Sequence, residues 1–98
     1  MSLVELEATF DREVVSHKRA AAETAYALAF LYRNEDVNGA RRFDIAQIWA
    51  MRAVDLLDSL PSDTIEQVAS TRSSVGGIPI PDLLHSGVVR ERLGDVLI

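Results

Sequence analysis

The stretch from Ala20 to Tyr32, AAAETAYALAFLY, constrains this chain more than any other. It is a nearly unbroken apolar run, and only Glu23 and Thr24 interrupt it. Its alanines favour helix and allow a neighbouring backbone to come close, while Tyr26, Leu28, Phe30, Leu31 and Tyr32 supply bulk. A helix that is apolar almost all round must be covered on more than one side, by the rest of the chain or by a second chain. A membrane span needs about 20 apolar residues, and this run is shorter and carries a charge. No membrane segment is expected.

Around this run, apolar residues recur with helical spacing. Leu6, Phe10, Val14, His17, Ala21, Ala25, Leu28 and Tyr32 follow one another at steps of three or four, which keeps them on one side of a continuous helix. Ser2 and Glu5 fit a capping box at its start, and no Pro or Gly interrupts it before Arg33. The spacing predicts one helix over 3–33, about 46 Å long at about 1.5 Å per residue. A kink near Ser16 and His17 is the only interruption envisaged. Glu5, Asp11, Arg12, Lys18 and Arg19 form its solvated face.

Asn34 to Gly39 concentrates turn formers and ends in Asn-Gly, which supplies the positive φ of tight turns. A second helix over 40–60 follows, with Phe43, Ala46, Ala50, Ala53, Leu57 and Leu60 as its packing seam and Ile45, Ile48, Trp49 and Leu56 as a flanking stripe. Pro61 stops it. Asp63 with Glu66 marks the start of a short third helix over 64–71. Ser70 to Gly77 reads as flexible, and Ile78-Pro79-Ile80-Pro81 as extended, because each proline moves the preceding residue out of the α region. The segment 72–81 is thus expected to be a flexible or extended strap laid across the helices by Ile78 and Ile80. A C-terminal helical arm over 82–97 would cover part of the hairpin with Leu83, Leu84, Val88, Val89, Leu93, Val96 and Leu97. Val96-Leu97-Ile98 reads as a docked terminus.

These elements predict an all-α fold: a long antiparallel helical hairpin with a short third helix and a C-terminal helical arm, in a single domain. Between Ala25 and Pro61 the pattern is similar to a single tetratricopeptide-type hairpin, with Leu28, Ala29 and Tyr32 on its first helix and Phe43, Ala46, Ala53 and Pro61 on its second. The chain has a longer loop than such repeats and no second copy, so these residues are read as general helical-hairpin chemistry.

Fifteen acidic residues against ten basic ones leave a net charge of −5, which disfavours nucleic acid as a partner because phosphate contacts need clustered Lys and Arg. Arg41-Arg42 and Arg90 with Arg92 are the basic pairs. Arg41 and Arg42 stand among Glu35, Asp36 and Asp44, which points to pairing within the chain. A nucleic-acid-associated regulator is the third reading in order. The absence of cysteine excludes disulfides, thiolate metal sites and cysteine nucleophiles. No secretory leader is visible at the N-terminus, so a cytoplasmic protein is the default expectation.

Two pairs place a carboxylate beside an imidazole on one helical face: Glu13 with His17, and Asp82 with His85. If folding joined them, the four would suit Zn or Fe. Bundle di-metal sites use Glu-x-x-His motifs, and the chain has none. His17 is better read as a seam residue, and His85 as a cation near a helix end. A small helical metal protein or enzyme is therefore the second reading, and neither metal nor cofactor is expected. Gly76-Gly77 lacks the strand, helix N-terminus and lysine of a phosphate loop, and no serine stands in a nucleophile-elbow context. No catalytic residue is assigned.

The leading expectation is a non-catalytic protein–protein interaction module, adaptor or regulatory in kind. Two helices with broad apolar faces and only short C-terminal elements leave area for a second chain. Tyr26, Phe30, Ile45, Trp49 and Leu56 are the expected interface, with a homodimer favoured over another protein as partner.

Overall fold

The structure, a computed structural model, describes residues 3–34, 36–37, 40–41, 43–59, 74–81 and 86–94. In chain order they form α1 (Leu3–Ser16), α2 (Lys18–Asn34), β1 (Asp36–Val37), β2 (Ala40–Arg41), α3 (Phe43–Asp58), β3 (Ser74–Val75), β4 (Ile78–Pro79) and α4 (Ser86–Arg92). The fold is all-α, with α1 and α2 forming a helical hairpin that packs on α3.

α2 is the centre. Every residue from Ala21 to Ala29 is buried, Glu23 and Thr24 included. α1, α3 and the β3–β4 ribbon all pack against α2, so the helix that is apolar nearly all round is covered from several directions. The alanines at 21, 22, 25, 27 and 29 make this close approach feasible, because no large side chain holds the neighbours away.

The helix expected over 3–33 is two helices. Only His17 separates α1 from α2, and there the chain reverses. The Tyr32 hydroxyl donates to Oε1 of Glu7 at 2.7 Å. On a straight helix these residues would stand about 37 Å apart. Local sequence does not demand the corner, since Ser16-His17-Lys18 contains neither Pro nor Gly. Burial demands it. Folding α1 back sinks Leu6 and Phe10 into the core, and a fully buried apolar side chain of this size is worth about 1.5–3 kcal/mol. Part of the helical bonding is kept at the corner, where the His17 N–H donates to the Glu13 carbonyl at 2.6 Å and the Ala21 N–H to the His17 carbonyl at 2.9 Å.

The second predicted helix begins three residues later than expected, at Phe43, because Ala40 and Arg41 pair antiparallel with Val37 and Asp36. α3 ends at Asp58, and the Ser59 hydroxyl donates to the Leu56 carbonyl at 2.7 Å, occupying one of the carbonyls the helix end leaves without a partner. Ala46, Ala50, Ala53 and Leu57 form the buried seam of α3, as their spacing predicts, while Leu60 and the side chain of Phe43, the ends of the expected seam, lie outside the described residues.

Residues 74–79 are not a flexible segment but a tight antiparallel ribbon, with Ser74 opposite Pro79 and Val75 opposite Ile78. Gly76 and Gly77 connect the strands at φ of 57° and 84°, the two positive values that a type I′ turn requires. Gly-Gly reads as flexible in isolation. Between strand-forming Val75 and Ile78 it is the turn signal of a hairpin. Val75 and Ile80 are buried and Ile78 packs against the core, so the expected apolar strap is present in ordered form.

The expected short helix over 64–71 lies outside the described residues. Of the arm over 82–97, α4 is described: Val89 and Leu93, one turn apart, are both fully buried, and the helix packs on α3. Arg90 Nη2 meets Asp58 Oδ2 at 3.2 Å, and Arg33 donates to the Arg92 carbonyl at 3.3 Å. The described part of the arm is docked on its own chain, and the rest of 82–97 lies outside the described residues.

Candidate functional site

The aromatic face expected to meet a partner is largely inside the chain. Trp49 packs edge-on against Phe10, with ring centroids 4.8 Å apart at 86°, and is 5% exposed. Tyr26 meets Phe30 at 4.9 Å and is 1% exposed. Because α1 folds back, it supplies the cover that a two-helix hairpin would lack, and Tyr26 and Trp49 are core residues rather than interface residues. Phe30, Ile45 and Leu56 are only partly buried against that core.

What stays open is a groove between α1 and α3. Phe10 and Val14 from α1 and Leu56 from α3 give it an apolar lining, with Arg52, Asp55 and Ser59 beside them, and its volume is about 430 Å³. One turn before this lining on α3, Ile48 and Met51 are 50% and 52% exposed. These two side chains lie outside the alanine seam of α3, as does buried Trp49.

Arg52 organises the groove. Its guanidinium stands 4.6 Å above the Trp49 ring and 6.0 Å from the Phe10 ring, held by the attraction of a cation for two aromatic faces. Asp55, three residues on, is exposed beside it. Neither side chain has an ion-pair partner among the described residues. The groove therefore offers an apolar floor, one cation and one carboxylate. Its hydroxyl, that of Ser59, already donates to the Leu56 carbonyl.

The carboxylate–imidazole pairs are placed only in part. Glu13 Oε1 accepts a hydrogen bond of 2.5 Å from the Thr24 hydroxyl, and His17 is exposed at the corner between α1 and α2. Asp82 and His85 lie outside the described residues. Among the described residues no group of three His, Cys, Asp or Glu side chains is arranged to hold a metal ion.

Of the basic pairs, the side chains of Arg41 and Arg42 lie outside the described set. Arg90 is engaged by Asp58, and the charge of Arg92 acts on the Tyr26 phenol. Burial raises the pKa of that phenol above the ordinary tyrosine value of 10.0, and the positive charge of Arg92 works against the rise. Among the described residues, no helix is long and apolar enough to cross a membrane. Compared with known proteins, the chain matches no family model, no curated protein and no solved structure.

Proposed function

We propose that this protein is a non-catalytic helical interaction module that pairs with a second copy of itself. The observation that carries this reading is the groove between α1 and α3, apolar along Phe10, Val14 and Leu56, continued by half-exposed Ile48 and Met51. Arg52 and Asp55 on its rim supply the argument for a like partner. In a two-fold dimer residue i of one copy meets residue j of the other and the reverse. A face carrying a cation and a carboxylate a turn apart, neither ion-paired among the described residues, is complementary to itself, with Arg52 of each copy against Asp55 of the other. Because the expected anchors Tyr26 and Trp49 are committed to the core, the contact falls to Ile45, Ile48, Met51 and Leu56.

Light scattering coupled to size exclusion across a concentration range tests this. The expected result is a dimer for the native chain, with monomers for Ile48→Glu and Met51→Glu that keep the native helical circular dichroism. A native chain that stays monomeric at every concentration overturns the reading.

A further inference from the structure

We infer that α1 is an exchangeable arm: in the dimer, α1 leaves its own α2 and seats on the α2 of a second copy, while α1 and α2 of each chain become one helix through His17. This rests on the reading above that the chain pairs with itself, and it joins the copies through the contacts of the hairpin in place of the Arg52–Asp55 contact.

Three observations point the same way. First, the corner is a single residue, and helical hydrogen bonding already passes through it, from the His17 N–H to the Glu13 carbonyl and from the Ala21 N–H to the His17 carbonyl. Ser16, His17 and Lys18 are all exposed and none is Pro or Gly, so straightening the corner disturbs no core packing and asks for no unfavourable helix residue.

Second, the two halves of the hairpin are in phase. The hydrogen-bonded pairs that tie α1 to α2, Glu13 with Thr24 and Glu7 with Tyr32, are 11 and 25 residues apart. At about 3.6 residues per turn these are close to three and seven whole turns, so on one continuous helix each pair lies on a single face. Leu6, Phe10, Ala21, Ala25, Leu28 and Tyr32 share that side. Two such helices set antiparallel about an axis near the corner re-form every contact of the hairpin reciprocally, Glu7 of each copy with Tyr32 of the other. A hairpin needs only that its two faces meet in space. It does not need them in register along a straight helix.

Third, the surface α1 covers is one the chain cannot leave bare. Ala21, Ala25 and Leu28 on α2 and Trp49 on α3 are buried with α1 in place. An α1 that departs must be replaced, and α1 of a second copy has the same shape as the segment that left.

The test uses the absence of native cysteine. Val4, exposed on α1, and Gln47, partly exposed on α3, are replaced by cysteine and spin-labelled, and the labelled chain is refolded with excess unlabelled chain so that only distances within one chain are read. At low concentration the distance is short, as in the folded-back chain. In the dimer formed at high concentration it lengthens by on the order of 30 Å, because straightening carries Val4 from one side of the corner to the other, about 20 Å along the axis on each side. His17→Ala and His17→Gly then differ in dimer yield by on the order of tenfold in favour of alanine, because glycine penalises the continuous helix at both corners. A dimer in which the short distance persists overturns the exchange and leaves self-association standing. A monomer at every concentration overturns both, and equal yields from the two His17 variants overturn the corner as the hinge.

Discussion

The phenol of Tyr32, at the end of α2, donates a 2.7 Å hydrogen bond to the Glu7 carboxylate in α1 across 25 residues of chain. This contact and the Thr24 to Glu13 hydrogen bond near the corner fasten α1 along the length of α2. A hydrogen bond to a charged acceptor is worth about 1.5–3 kcal/mol, and this one is partly buried. Tyr32→Phe, which keeps the ring, is expected to lower stability by about 1.5 kcal/mol in urea unfolding. Tyr32→Phe in a Glu7→Gln background is expected to cost less than half as much, because the charged acceptor is already gone. Full additivity of the two would show that they do not interact.

Trp49→Ala is expected to reduce stability by about 3–5 kcal/mol, because it empties a core position against Phe10. For a domain held by about 5–15 kcal/mol this is a large share. Arg52→Ala, which removes a cation lying on the outer face of the same ring, is expected to cost about 1 kcal/mol. Thermal unfolding followed by helical circular dichroism distinguishes the two. If Trp49→Ala kept the native midpoint, Trp49 would have to be reassigned to a surface role.

Gly76 and Gly77 separate conformational strain from steric contact. Both have positive φ, but a Cβ at Gly76 would lie 2.8 Å from Cδ1 of fully buried Leu6, whereas a Cβ at Gly77 meets nothing within 4 Å. Gly77→Ala is expected to cost about 1 kcal/mol from backbone conformation alone. Gly76→Ala should cost more by about 1 kcal/mol, the price of moving a packed leucine. Equal denaturation midpoints for the two variants would mean that the ribbon does not press on α1.

The buried phenol of Tyr26 gives the fold an alkaline limit. Its folded pKa is raised above the value of 10.0 that the unfolded chain keeps, mainly through burial and against the pull of Arg92. A raised folded pKa means that the contribution is fully present below pH 10.0 and is lost as the pH climbs through the folded value, since the unfolded state releases its proton first. Stability measured in urea should therefore fall above pH 10, and Tyr26→Phe should fall less steeply. A phenolate absorbance titration in which both tyrosines ionise at the free value would contradict the burial of Tyr26.

In the sequence, the alanine seam of α3 marks the residues that face inward, but the flanking stripe that holds Ile48 and Trp49 divides only in the folded chain, where Trp49 is buried and Ile48 is exposed. The burial of Trp49 and Tyr26 is not legible, because it depends on where α1 goes. Arg52 stands three residues after Trp49 on α3, a local helical neighbour, but its approach to Phe10 joins two helices brought together only in the folded chain.

Apolar periodicity and turn chemistry by themselves determined that this protein is all-α, that the run from Ala20 to Tyr32 is its centre, and that the chain turns after Asn34. These are local properties, set by side-chain spacing and backbone preference within a few residues. Tertiary structure alone decided the corner at His17, because nothing local separates a straight helix from a hairpin there. The difference lies in how much apolar surface of α1 is covered, which depends on α2 and α3 being already in place. The same holds for Gly76-Gly77, whose turn becomes ordered once Val75 and Ile80 have a core to pack against.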